Sequence, residues 1–169
     1  MGSPLAFGWV LRTSTAHARS TTTMQKLDFP EAVDLILARD ARFDRDAYFF
    51  LRDALDHTVK LRKKREAEGS GHVTGQQLLE GIRQYALKQY GPMVVTVFSY
   101  WGVKQGFDFG EMVYSLIGSG VFGKTDTDSL EDFRGGYTFN DAFVLPFQPA
   151  KPPLAKDEGV SSPQPTESV

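Results

Sequence analysis

Thr74 and Gln77 stand at the head of a run, GQQLLEGIRQYALKQY, that stops at Gly91-Pro92. Threonine followed three residues later by glutamine is a reciprocal cap, each side chain accepting from the other residue's backbone N–H. Glycine just past the end and proline after it close a helix by equally ordinary chemistry. Between these marks Leu78, Leu79, Ile82 and Tyr85 recur at three- and four-residue spacing, which lines them along one face. The centre of the chain is therefore an amphipathic helix, and its apolar stripe requires other elements to cover it.

The neighbouring segments supply them in kind. Pro30 opens EAVDLILARD, in which Ala32, Val33, Leu35, Ile36 and Leu37 form a second stripe. Proline costs nothing there, since the first turn of a helix has no partner for its missing donor. A helix starting near Asp44 puts Tyr48, Leu51, Leu55 and Val59 on one face and ends in the basic run Lys60 to Arg65, before Glu-Gly-Ser-Gly. Pro92 starts a helix carrying Val94, Val95, Val97, Phe98 and Trp101. Asp108 with Glu111 reads as a second capping box, ahead of Met112, Val113, Leu116 and Ile117. Beyond Gly118 the periodicity fails, and Phe122, Leu130, Phe133, Tyr137, Phe139 and Phe143 fall at irregular intervals. The expected fold is mainly α, a compact bundle of about five helices. Short helical turns or a small C-terminal β-hairpin, giving a winged-helix-like outline, should pack the last aromatics.

Domain limits follow from composition. Residues 148–169 contain five prolines and no aromatic residue, and such a segment buries too little apolar surface to offset its ordering entropy. It is expected to be a disordered Pro-rich tail. Residues 1–23 carry Arg12 and Arg19 and no acid, and Met24 follows directly. Ala16-His17-Ala18 imitates a signal-peptide cleavage site, but the apolar run before it is short and no basic residue precedes that run. The preferred reading is a disordered extension upstream of a natural start at Met24, leaving residues 24–147 as a single helical domain. No apolar run approaches the roughly 20 residues of a membrane-spanning helix, and none is expected. The chain has no cysteine, which excludes disulfide frameworks, thiolate metal sites and thiol nucleophiles. Its formal charge of −2 supplies no general attraction to nucleic acid or anionic lipid.

The strings HVTGQQLLEGIRQYALKQYG, WGV, DFGEMVYSLI and EDFRGGYTFNDAF together give the chain a resemblance. It resembles the Minf-type family of short bacterial proteins, met in Verrucomicrobia, Planctomycetes and related groups, over roughly Phe29 to Phe147. The resemblance implies a bacterial cytosolic protein. It implies no activity and brings no catalytic or binding residues to carry over.

Residues 118–125, GSGVFGKT, match the form of a phosphate-binding P-loop, in which Lys124 would reach the terminal phosphates and Thr125 would hold Mg²⁺. That chemistry needs a strand before the loop and a helix after it. Here a capped helix precedes it, and Asp126 and Asp128 follow it where phosphates would sit. A Gly-rich helix end and turn is the preferred reading. Asp126, Asp128, Glu131 and Asp132 lack the twelve-residue grammar of a calcium loop and read as caps and solvated turns. His57 and His72 lie across the Gly-Ser break, and no nucleophile–base pair stands out. No catalytic residue, metal or cofactor is expected.

Two surface features are left. Lys60, Arg62, Lys63, Lys64 and Arg65 could contact a polyanion, although cations also suit the negative end of a helix. Tyr90 and Tyr100, either side of the Gly91-Pro92 corner, are candidates for an exposed aromatic interface. A DNA-reading winged helix is disfavoured, because its recognition helix would present Asp108 and Glu111 to phosphates. The leading expectation is a small, non-enzymatic, cytoplasmic protein-interaction domain. The alternative is a nucleic-acid- or ribosome-associated factor using Lys60 to Arg65.

Overall fold

Asp28 and Glu31 cap the first helix reciprocally: the Glu31 N–H donates to Asp28 Oδ1 at 2.9 Å and the Asp28 N–H to Glu31 Oε2 at 3.2 Å. From that start, a computed structural model describing residues 27–65 and 73–149 runs through six α-helices. These are α1 (Phe29–Arg39), α2 (Arg45–Arg65), α3 (Gly75–Tyr90), α4 (Val94–Tyr100), α5 (Gly106–Gly118) and the five-residue α6 (Phe139–Phe143). Short 3-10 turns cover Gly91–Met93, Leu130–Phe133 and Leu145–Phe147. Thr74 and Gln77 cap α3 as their spacing predicts. The fold is a mainly helical bundle of five principal helices. Among the described residues there is no strand beyond an isolated bridge position at Phe122. Among the described residues, the stretch from 122 to 149 contains short helical turns and no hairpin or wing. Residues 1–23 and most of 148–169 lie outside the described residues, and Gln148 and Pro149 are exposed.

α2 and α3 form the central pair. Gly81 makes this possible: a Cβ there would fall 1.7 Å from Thr58 Oγ1, so only a glycine lets the two helices meet at that point. Thr58 is buried and satisfies its hydroxyl on the Ala54 carbonyl at 2.7 Å. Alongside the predicted stripe of Tyr48, Leu51 and Leu55, α2 buries Ala47, Phe50 and Ala54 on an adjoining face. Phe50 is the hub of an aromatic core, with ring centroids 5.4 Å from Phe98, 5.5 Å from Trp101 and 6.3 Å from Phe109. Phe98 passes the cluster on to Phe143 at 5.5 Å, which places α6 over α4. At the other end Arg52 packs against the edge-to-face pair of Phe29 and Phe49, 5.1 Å from each centroid, and ties α1 to α2.

Two expectations change at the level of single residues. Leu35, assigned to the buried stripe of α1, is exposed, while Ala32, Val33 and Ile36 carry the contact. Glu111 does not cap α5. That helix starts two residues before Asp108, whose carboxylate Oδ2 reaches back to accept from the Lys104 N–H at 2.7 Å and the Gln105 N–H at 3.1 Å. Glu111 instead faces Arg42 across the bundle at 3.2 Å, and Arg42 also pairs with Asp40 at 2.8 Å. Gly102 closes this corner with φ near +80°, its Cα so near the Arg42 carbonyl that a Cβ would lie 2.3 Å from the oxygen.

Candidate functional site

The basic run is less available than its sequence suggests. Lys60 is paired with Asp56 one turn earlier, a bond that raises the ammonium pKa above its ordinary value. Arg62 turns inward toward α3, where its Nη1 donates to Gln77 Oε1 at 3.1 Å. Lys63 and Lys64 are exposed. Arg65 ends α2, and its side chain lies outside the described residues.

The two tyrosines part company. Tyr100 is 80% exposed. Tyr90 is half-buried, its ring 6.0 Å from Phe50 and 5.8 Å from Trp101, so it belongs largely to the aromatic core. Met93, 55% exposed, stands seven residues before Tyr100. With half-buried Val97 between them, these residues lie at i, i+4 and i+7 on one helical face. The opposite side of α4 is fixed by the buried residues Val94, Phe98 and Trp101.

The segment 118–125 is built as a helix end. Gly120 takes φ near +76°, and the N–H groups of Gly120 and Val121 donate to the carbonyls of Ile117 and Leu116. Val121 and Phe122 are buried. The Thr125 N–H is taken by Asp128 Oδ2 at 2.7 Å, and Lys124 Nζ lies 5.8 Å from the centroid of the Tyr114 ring. The backbone donors of Gly120, Val121 and Thr125 are thus committed to the fold, the last of them to a carboxylate. The neighbouring acids have similar duties. Asp132 accepts from the Ser129 N–H at 2.9 Å, and Glu131 pairs with Arg134 at 2.7 Å. Among the described residues no group of His, Asp and Glu side chains is arranged to hold a metal ion.

One concavity went unnoticed in the sequence. A groove of about 590 Å³ opens between the start of α5 and the loop 133–139, with Lys104, Phe107, Arg134, Tyr137 and Phe139 on its walls. Its loop is held by three devices. Gln76 Nε2 donates to the carbonyls of Asp132 at 2.7 Å and Arg134 at 3.3 Å. The Tyr137 hydroxyl donates to the Leu79 carbonyl at 2.9 Å, and burial pushes that phenol well above its ordinary pKa. Phe133 fills a slot floored by two glycines: a Cβ at Gly110 would come within 2.7 Å of the ring, and one at Gly75 within 3.1 Å. Arg134 then sits over the Phe107 ring, 4.5 Å from its centroid. The signal available in the sequence was a cation followed by two glycines, Arg134-Gly135-Gly136, a weak pattern taken alone. Comparison with protein families, characterised proteins and solved structures finds no match.

Proposed function

We propose that the chain is a non-enzymatic, cytoplasmic interaction domain of the Minf-type family, and that its work is to bind a protein partner. The observation supporting this is the outer face of α4. Met93, in the turn that leads into α4, and Tyr100, at its end, are exposed beside a helix whose inner face is buried in the core. An aromatic side chain held on a rigid element gives up little conformational entropy on contact and brings a large apolar surface, which is why tyrosine is enriched at binding hot spots. No helix among the described residues is long and apolar enough to cross a membrane.

The alternative, contact with nucleic acid or the ribosome, draws on the exposed Lys63 and Lys64. Two cations release few counterions, so such binding would show a shallow salt slope, about one unit for each phosphate neutralised. The deciding experiment places a photoreactive phenylalanine analogue at position 100 of the full chain in native cells. A discrete protein adduct that survives nuclease and high salt, and disappears with Met93→Glu, supports the proposal. Absence of any adduct at position 100, combined with crosslinking to RNA that Lys63→Gln and Lys64→Gln abolish, refutes it in favour of the alternative.

A further inference from the structure

The groove beside Arg134 has a chemistry that the α4 face does not use. None of the residues lining it is acidic, although residues 106–147 set two basic side chains against seven acidic ones. One of those two, Arg134, lines the groove, and Lys104, which precedes that stretch, lines it as well. The groove's volume lies within the roughly 300–1,000 Å³ typical of small-molecule sites. Phe107, Tyr137 and Phe139 also contribute to its walls.

We propose that this groove is a binding site for a small phosphate monoester carried on a flat ring, of the size and chemistry of a mononucleotide. Arg134 and Lys104 would take the phosphate. A guanidinium offers a planar fork of donors that matches two phosphate oxygens, and an ammonium adds a point charge. Arg134 is already placed for this, since Phe107 supports its plane from beneath and the loop carrying it is pinned to α3 through Gln76. The aromatic walls would take the ring, as every base or comparable heterocycle presents a π-face for stacking. Gly135, with φ near +71°, has open space where a Cβ would stand, so a ligand can approach the loop backbone closely there. Asp108, buried behind the α5 start, spends its carboxylate on two backbone donors.

Glu131 is the built-in competitor. Its carboxylate lies 2.7 Å from Arg134 Nε, with both side chains more than 60% exposed. Exposed pairs of this kind contribute little stability and exchange readily for a ligand with higher charge. The reading therefore makes a signed prediction: removing the acid should tighten binding, and removing either cation should weaken it.

The test is calorimetric titration of the full chain with the four common 5′-mononucleotides, their nucleosides and inorganic phosphate. At least one mononucleotide should bind at one equivalent, more tightly than its nucleoside or phosphate alone. Arg134→Gln and Lys104→Gln should each weaken it by about tenfold, the scale of one charge-assisted contact. Glu131→Gln should tighten it by a few-fold, and Lys63→Gln with Lys64→Gln should leave it unchanged. The amide resonances of Gly135 and Gly136 should move with the same affinity. No binding by any of the four overturns the proposal, as does equal weakening by the Lys63 and Lys64 variants, which would mark general electrostatics. Inorganic phosphate binding as tightly as the best mononucleotide overturns the assignment of the ring.

Discussion

Gly110→Ala tests the packing that holds the 133–139 loop against the bundle. A methyl at that position would lie 2.7 Å from Cγ, 2.9 Å from Cβ and 2.9 Å from Cδ2 of Phe133. These atoms sit at the root of a ring that is 1% exposed, so the contact cannot be relieved by swinging a free end aside. Two effects oppose each other. Alanine gains roughly 0.8–1 kcal/mol over glycine inside a helix, whereas forcing a methyl into a packed core costs about 1–3 kcal/mol. The upper part of that range applies, because Gly75 confines the same ring from the far side. The net expectation is a loss of about 1–2 kcal/mol. Phe133→Ala by itself should cost about 3–5 kcal/mol. In the double variant the methyl has room, the propensity gain is realised, and the protein should be about 1 kcal/mol more stable than Phe133→Ala alone. The two substitutions should therefore couple by roughly 2–3 kcal/mol, far outside the scatter of independent sites. Urea unfolding of the four proteins at constant slope reads this directly from the midpoints. A Gly110→Ala protein as stable as its parent, or a double variant whose losses simply add, would refute the slot.

Two further outcomes follow from single side chains. Asp108→Ala leaves the N–H groups of Lys104 and Gln105 without their acceptor and should cost about 2 kcal/mol, with Asp108→Asn costing about half as much; amide exchange at residues 104 and 105 should quicken while α1 and α2 keep their protection. His57, whose ring lies 5.3 Å from Tyr85, has its pKa lowered from 6.5, first by burial and then by the charge of Lys88. The unfolded chain then binds the proton more readily, so stability is level above the ordinary value and falls as pH drops from about 6.5 toward the lower folded value. The denaturation midpoint of His57→Gln should lack this component of the slope, and an identical slope in parent and variant between those pH values would disprove it.

Much of the fold could be read locally because its helices are marked locally. Thr74-Gln77 and Gly91-Pro92 bracket α3, and the three- and four-residue spacing of Leu51, Leu55, Leu78 and Ile82 selects buried faces without knowledge of any neighbour. The errors arose where two elements share the decision. Leu35 has the hydropathy of a core residue, but α1 meets the bundle through Ala32, Val33 and Ile36, and its angle of approach leaves Leu35 outside. Asp108 and Glu111 satisfy the spacing of a capping box, yet Asp108 is itself the third residue of the helix and Glu111 is claimed by Arg42, 69 residues earlier. The glycines were the least legible of all. Gly75, Gly81 and Gly110 sit in helices, where propensity alone would reject them, and each is explained by side chains from another element: Asp132 and Phe133 for Gly75, Thr58 for Gly81 and Phe133 for Gly110.

The same asymmetry governs the candidate sites. A run such as Lys60 to Arg65 attracts notice because its charges are adjacent in sequence, but adjacency on a helix spreads them around the axis. Asp56 takes Lys60, and α3 takes Arg62. Lys104 and Arg134 are isolated cations thirty residues apart, each without local emphasis, and it is folding that sets them on one groove. What brings them together is the Phe133 anchor: its ring enters the slot between Gly75 and Gly110, and the adjoining Arg134 is delivered onto Phe107. The coupling of Gly110 to Phe133 and the affinity of the groove are therefore linked quantities. A Gly110→Ala protein that stays folded should lose mononucleotide binding along with the Phe133 seat, even though Gly110 itself does not line the groove.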